Sequence, residues 1–473
     1  MSESSREGLP VVVVGAGPVG LAAAAHLLER GLDPVVLEAG EGPGAAVASW
    51  GHVRLFSPWR YGIDAAARRL LTGTGWAEPD LEALPTGADL VDAYLKPLAA
   101  ALGDRVRYGV RVVAVAKDGA DRTRSLGRER LPYLVRTSTG DVRAAAVIDA
   151  SGTWGQPSPI GTSGLAALGE SEATAFLTGP LPDVLGRDRE RFAGRHTLVV
   201  GMGHSAANTL LALGELARSE PGTRITWAIR GGSPRRLYGG GAADELPARG
   251  LLGTRLKEAV DDGRVELLTR VGIERLEPAG APSATASATG EVRVLGTARQ
   301  EGADGLLDLT VHNVVNATGF RPDLEMLREV RLDLDPVVEA PRALAPLIDP
   351  NLHSCGTVPP HGESELAQPD EGFYLVGMKS YGRAPTFLLA TGYEQVRSVV
   401  AALAGDRAAA DAVELSLPQT GVCSTDLGLA SEADAEADAV ADAGGCCSTS
   451  GPQPVAFGLA TGVAHGRSGD VTG

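Results

Sequence analysis

Two glycine turns, each set between an apolar run and a helix-forming stretch, constrain this chain more than any other feature. The first, Gly15-Ala16-Gly17-Pro18-Val19-Gly20, comes after Val11 to Val14 and opens an alanine-rich segment. The second, Gly201-Met202-Gly203-His204-Ser205-Ala206, comes after Leu198 to Val200 about 190 residues later. Strand, glycine turn and helix in that order make a dinucleotide-binding unit. The first glycine permits the tight turn, and the second lets the backbone approach a pyrophosphate. The third small residue lets helix and strand pack closely, so the phosphates meet helix N–H groups. One such turn is a weak signal. Two in this context predict a chain that passes electrons between two dinucleotides.

The strand after each turn assigns its nucleotide. The strand after the first turn ends Val36-Leu37-Glu38, with Glu38 18 residues past Gly20. A carboxylate there accepts the ribose hydroxyls of an adenosine. The strand after the second turn ends Ala228-Ile229-Arg230, with Arg235 and Arg236 close behind. A guanidinium in place of the carboxylate suits a 2′-phosphate, so the second nucleotide is expected to be NADP rather than NAD.

Composition bounds the alternatives. At 473 residues the chain has room for two or three domains. An apolar share of 44% with 22% charged residues fits a soluble globular protein. A net charge of −16 argues against nucleic acid and anionic membranes as partners. Leu9 to Leu28 is apolar enough to suggest a membrane span, but Gly15, Gly17, Pro18 and Gly20 interrupt it, and a strand, turn and helix explain it better. Four cysteines without an export signal point to a reducing cytoplasm.

The expected organisation is α/β, with two nested Rossmann-type dinucleotide-binding domains. Residues 9–165 form the first part of one domain, 166–315 the inserted second domain, and 316–405 the return of the first. Residues 41–105 read as a loop-rich insert with clustered aromatics from Trp50 to Tyr61, closed by a helix over Gly87 to Leu102. Val106 to Val115 and Leu131 to Thr137 read as meander strands. Residues 278–290 read as a hairpin tip, Phe373 to Gly377 as the last strand, and Ala384 to Ala404 as the last helix. Residues 406–473 carry no Lys or Arg between Arg407 and Arg467, and read as a low-complexity tail, disordered or weakly helical. His26, inside the first helix, reads as a packed residue.

With Ala150-Ser151-Gly152-Thr153-Trp154 and Ala317-Thr318-Gly319-Phe320-Arg321-Pro322 added to the two turns, residues 10–405 resemble the flavin-containing monooxygenases and the wider group of FAD- and NADPH-dependent oxidoreductases. More narrowly, the arrangement is similar to the flavin monooxygenases encoded beside arsenic-resistance genes. The resemblance implies FAD on the first turn and NADPH on the second. It implies cofactor contacts from Gly15, Gly17, Pro18, Gly20, Glu38 and Trp50, from Gly201, Gly203, Ser205, Ala206 and Arg230, and from Gly319 and Gly377. It also implies an oxygen atom passed from a peroxyflavin to a soft nucleophile, with a trivalent arsenical as one such substrate. His52, Arg54 and Tyr61 are expected to border the flavin, and Ser205 and Asn208 the second nucleotide. The sequence departs from the family's pattern in two places. Pro182 to Arg189 lacks the family's His-Ser linker motif, and the second turn ends in Ala206 rather than glycine.

Two other readings stay open: a flavin reductase or oxidase without oxygenation, and a thiol protein that binds metalloid on a flavin scaffold. A flavin disulfide reductase needs Cys-x-x-Cys beside the flavin, and the four cysteines, Cys355, Cys423, Cys446 and Cys447, offer none. Adjacent Cys446 and Cys447 sit poorly in an unstrained disulfide but suit a soft thiophilic ion, with Cys423 as a third sulfur. The tail resembles the vicinal-cysteine tails of mercury-handling flavoenzymes and arsenic-binding proteins. Leu417-Pro418-Gln419-Thr420-Gly421 is a chance match to a wall-anchor pentapeptide. The expected partner is a small-molecule substrate, with no nucleic acid and no membrane; a homodimer is left open.

Overall fold

The computed structural model describes residues 6–238, 246–279, 290–300, 303–350, 358–384 and 387–415. Cys355 and the tail positions Cys423, Cys446 and Cys447 lie outside them, as do the wall-anchor-like pentapeptide and residues 280–289 of the expected hairpin tip.

Strand β1 (Val11–Val14) explains the first layer arrangement. All four valines are buried, as a parallel strand covered on both faces requires. Val11 and Val13 join one apolar core, Val12 and Val14 another. β1 lies between β2 (Pro34–Leu37) and β7 (Ala146–Asp149), parallel to both. With β3 (Val106–Arg107) and β15 (Phe373–Leu375) the sheet order is β15-β7-β1-β2-β3. The antiparallel meander β4 (Val112–Lys117), β5 (Tyr133–Thr137) and β6 (Gly140–Ala144) covers one face. The helices Pro18–Glu29, Ala65–Thr72, Lys96–Leu102 and Leu389–Leu403 cover the other.

The second unit repeats the plan. β9 (His196–Val200) lies between β10 (Arg224–Ala228) and β14 (Asn313–Asn316), again all parallel. β8 (Leu177–Thr178) adds at one edge and β11 (Glu266–Ala279) at the other. β11 is long enough to leave the parallel sheet and pair antiparallel with β12 (Glu291–Gln300), which pairs with β13 (Ala303–Val311). The order is β13-β12-β11-β10-β9-β14-β8.

Two segments join the units, and they run side by side. Pro157 bridges Phe320, Ser158 N–H donates to Gly319 O at 2.9 Å, and Arg321 N–H to Gln156 O at 2.9 Å. The Thr318 hydroxyl and the Asn316 amide both donate to Ser158 O, at 2.9 and 2.8 Å. Trp154 and Phe320 pack with ring centroids 4.9 Å apart.

Four local expectations change. Val106–Arg107 joins the parallel sheet rather than the meander, because its partner is Val36–Leu37. The helix over Gly87 to Leu102 is broken into Gly87–Leu90, a π turn over Val91–Leu95, and Lys96–Leu102. Pro97 is the cause: it has no N–H for Ala93 O, and that carbonyl instead accepts from Trp76 Nε1 at 2.7 Å. The insert is less loop-rich than expected, since Ala65–Thr72 is a helix whose Asp64 cap accepts from Ala67 N–H at 2.9 Å. Finally, the start of the tail is packed. The Arg407–Asp411 helix docks on the Leu389–Leu403 helix, where Ala410 O accepts from the Ser398 hydroxyl at 2.6 Å and Ala409 O from Arg397 at 2.7 Å. Among the described residues no helix is long and apolar enough to cross a membrane.

Candidate functional site

β1 and β9 are the strands at which each sheet's order reverses, and each carries a glycine turn at its carboxyl end. That crevice is where open α/β sheets take ligands. At the first turn Gly15 has φ of +98°, and a Cβ there would lie 2.9 Å from Ala150 O. A Cβ on Gly20 would lie 2.0 Å from Gly15 O, so no side chain fits. Gly17 differs: a Cβ would meet nothing within 4 Å. The second turn repeats this division. Gly201 has φ of +132° and would place a Cβ 2.0 Å from Ala317 O, whereas Gly203 faces open space. Ala206 is fully buried in the third position, where the packing admits a methyl group. Each turn therefore has two glycines required by close packing or backbone angle, or one with an alanine, around one glycine that leaves room for a ligand beside a helix N-terminus. A dinucleotide pyrophosphate fits both cradles.

Glu38 stands at the mouth of the first cradle. Its carboxylate accepts from Ala16 N–H and Gly40 N–H, both at 2.7 Å. Ala16 O in turn accepts from Gly44 N–H at 2.9 Å, which lays the start of the insert against the turn. Trp50 is half-buried on this insert and packs against Gly87, where a Cβ would fall 2.8 Å from the indole ring. Pro18 begins the helix, where its missing N–H costs nothing. Gly377 is buried with φ of +66°, and a Cβ there would lie 3.4 Å from the Val19 side chain of that same helix.

Gly377 also ends a buried polar chain that sequence reasoning missed. Its N–H donates to Gln395 Oε1 at 2.7 Å. Gln395 Nε2 donates to Ser380 Oγ and to His361 Nε2, both at 2.9 Å. That leaves His361 Nδ1–H to donate to Pro359 O at 3.1 Å. Burial holds the His361 pKa below its ordinary value, so the ring stays neutral. A second missed feature is the ion pair of Lys379 with Asp149, 2.7 Å apart and both fully buried. Asp149 Oδ1 also accepts from Ser151 N–H at 3.0 Å and Ser151 Oγ at 2.6 Å. The pair ties the end of β7, directly behind Gly15, to the segment just after β15. No hydrophobic pattern foretells it, because Lys379 sits in a five-residue 3-10 helix, Gly377–Tyr381, too short to show a periodicity. His26 is packed, as expected, and pairs with buried Asp64 at 2.9 Å.

The second cradle is fixed from below by Trp227, whose buried indole donates to Gly201 O at 2.7 Å. Arg230 lies exposed two residues past the end of β10, with no carboxylate partner among the described residues. Ser205 is half-buried in the first turn of the His204–Ser219 helix, and Asn208 spends its amide on His204 O at 3.0 Å. Gly319 is exposed at a crossing segment, with φ of +97° and open space around it. The insert reaches across to this cradle: Phe56 and His204 pack with ring centroids 5.1 Å apart. Of the other insert candidates, His52 is exposed, Arg54 donates to Leu84 O at 2.6 Å, and Tyr61 lies under Arg60. Among the described residues no group of three or more His, Cys, Asp or Glu is arranged for a metal ion.

Two glycine cradles at two switch points, nested by a paired double crossing, define the two-domain fold of FAD- and NAD(P)-dependent oxidoreductases. The family model for pyridine nucleotide-disulphide oxidoreductases matches residues 12–351, and the chain belongs to that family. Among curated proteins it is similar to indole-3-pyruvate monooxygenase YUCCA1 of Oryza sativa subsp. japonica, 32% identical over 210 residues. That match spans 43% of this chain and 44% of the relative, so it reaches less than half of the relative's length. Among solved structures, the bacillithiol disulfide reductase Bdr (YpdA) of Bacillus cereus aligns with a TM-score of 0.58 at 19% identity, over 84% of this chain and 99% of that one. The FAD-bound cadaverine monooxygenase DfoA of Erwinia amylovora also aligns with a TM-score of 0.58, at 16% identity over 88% of this chain and 99% of that one. At these identities the structural likeness speaks to the fold.

Proposed function

We propose that the Gly15 turn holds FAD, that the Gly201 turn holds NADPH, and that the chain is a monooxygenase acting on a soft nucleophile such as a trivalent arsenical. The observation that carries this reading is the pair of open glycine positions, Gly17 and Gly203, each at a helix N-terminus, with the insert reaching the second through the Phe56–His204 contact. When bound, NADPH supplies a hydride and FAD accepts it and activates dioxygen. The chain's own residues bind, orient and exclude water. Backbone amides around Gly17 and Gly203 bind the two pyrophosphates. Glu38 keeps acceptor capacity beyond its two backbone bonds for the ribose hydroxyls. Arg230 meets the 2′-phosphate. Trp50 and Phe56, on the insert, screen the space between the cradles from solvent. Cys423, Cys446 and Cys447 capture the metalloid and raise its local concentration.

Monooxygenation is favoured over disulfide reduction because no cysteine precedes Cys355, so neither cradle has a Cys-x-x-Cys pair nearby in the chain. The monooxygenase named among the curated relatives supports the same choice. The test is aerobic NADPH turnover with and without a trivalent arsenical, measuring peroxide and oxygenated product together. Product formed in proportion to NADPH consumed is expected. Quantitative peroxide release under all conditions refutes oxygenation and leaves an oxidase. A colourless protein that ignores NADPH refutes the whole reading.

A further inference from the structure

Arg270 is an arginine with no evident use in the fold. It lies at the carboxyl end of β11's parallel section, beside the end of β10. Its φ is +50°, and among the described non-glycine residues only Glu339 shares a positive value. An L-residue with a side chain adopts this conformation at a cost, and such strain persists where neighbours impose it. Here the neighbours are explicit. Arg270 N–H donates to Gly231 O at 3.0 Å, and Val271 N–H to Ile229 O at 2.9 Å. The ladder register shifts between Thr269 and Gly272, a bulge that re-aims the side chain out of the sheet.

The re-aimed guanidinium lies beside the loop after β10. A Cβ on Gly232 would fall 3.5 Å from its Nε and 3.7 Å from its nearer terminal nitrogen. Arg270 is half-buried, and among the described residues no carboxylate comes within ion-pair distance of it. Elsewhere in this unit Arg264, Arg275 and Arg293 each face a carboxylate. Arg230, which flanks the same pair of backbone hydrogen bonds, is likewise without one among the described residues. Two such guanidinium groups thus flank one loop at the carboxyl ends of adjacent strands, where a nucleotide held by the Gly201 turn places its adenosine.

We propose that Arg270 is a second specificity-determining cation for the 2′-phosphate, gripping it together with Arg230. The proposal rests on the NADPH assignment made above. A phosphomonoester carries close to two charges and three acceptor oxygens, enough for two guanidinium partners. A nucleotide lacking the 2′-phosphate offers Arg270 nothing.

The test is calorimetric titration of the FAD-loaded full chain with 2′,5′-ADP and with 5′-AMP. The native protein is expected to prefer 2′,5′-ADP. Arg270→Gln should weaken 2′,5′-ADP binding by about tenfold or more, the loss of a charge-assisted contact, and leave 5′-AMP binding near native. Arg270→Gly should give the same selective loss without lowering the melting temperature, since glycine accepts the positive φ. If Arg270→Gln binds 2′,5′-ADP like the native protein while Arg230→Gln does not, Arg270 has no such role and the NADPH assignment stands. If Arg270→Gln weakens both ligands equally and lowers the melting temperature, the residue is structural and the proposal is overturned. If the native protein shows no preference, the NADPH assignment itself fails, and Arg270 with it.

Discussion

Replacing Gly17 by leucine separates binding from folding. Gly17 has φ of −76° and ψ of −177°, angles open to any residue, and its Cβ would meet nothing within 4 Å. Placing leucine at this helix cap costs the apo fold up to about 1 kcal/mol. Reduced freedom of the unfolded chain returns about 0.4–1 kcal/mol. The apo protein should therefore unfold within about 1 kcal/mol of the native chain. FAD binding is another matter, because the leucine would occupy the approach of the pyrophosphate. Losing two amide contacts to a charged phosphate, at about 1.5–3 kcal/mol each, raises the Kd by about 10² to 10⁴. Gly20→Ala should behave in the opposite way. Its Cβ would sit 2.0 Å from Gly15 O, so the turn must shift, at about 1–3 kcal/mol of stability before any ligand is considered. The assay pairs the visible flavin-to-protein absorbance ratio of the purified protein with urea unfolding of the apo forms. Full flavin occupancy in Gly17→Leu, or native apo stability in Gly20→Ala, would refute the division of labour within the turn.

Three further outcomes are expected. Lys379→Met leaves Asp149 buried without its cation and should cost about 3–5 kcal/mol, whereas Lys379→Met with Asp149→Leu should recover most of that in urea unfolding of the apo protein. Lys117, buried in β4 with its ammonium 3.5 Å from the centre of the Tyr133 ring, has a pKa pushed down to about 7, chiefly by burial with Arg6 adding to it. The unfolded chain keeps that proton up to about pH 10.4. Stability should therefore rise with pH between about 7 and about 10, and Lys117→Met should flatten that slope in pH-dependent unfolding. Cys446→Ser with Cys447→Ser should keep flavin content and NADPH-driven flavin reduction but lose tight binding of trivalent arsenic, measured by equilibrium dialysis. Native binding of the double variant would remove the tail from the proposed function.

The parallel strands and the two turns were legible because their signals are local. Val11 to Val14 and Leu198 to Val200 are short apolar runs, and the glycines after them are dictated by backbone contacts within the same strand-turn-helix unit and its neighbouring strand. The break in the helix near Pro97 was visible in principle, since a proline inside helical spacing removes a hydrogen bond. Its resolution was not, because Trp76 takes the freed carbonyl from another part of the chain. The Lys379–Asp149 pair and the His361–Gln395–Gly377 chain join residues far apart in sequence, and a single sequence carries no trace of such pairing. Arg270 was hidden for a different reason: its interest lies in a backbone angle and in its surroundings, neither of which composition or periodicity records. The helix Ala65–Thr72 was missed although Asp64 is a good cap, because the aromatics before it made the whole insert read as loop.

The paired crossing also sets an order of assembly during synthesis. β7 ends at Asp149, but its neighbour β15 begins at Phe373, and the Leu389–Leu403 helix that packs on the first helix comes later still. At ~5–20 residues per second a ribosome needs on the order of ten to forty seconds to bridge that gap. Throughout it, one edge of β7 and the part of the first helix that the Leu389–Leu403 helix covers wait exposed, although Ala65–Thr72 and Lys96–Leu102 are already made. The inserted unit has all its strands by Asn316 and can close on itself first. The earliest translated glycine turn is then the last to gain its full surroundings, and a nascent chain that stalls between the two crossings would present an open sheet edge to chaperones or to other chains.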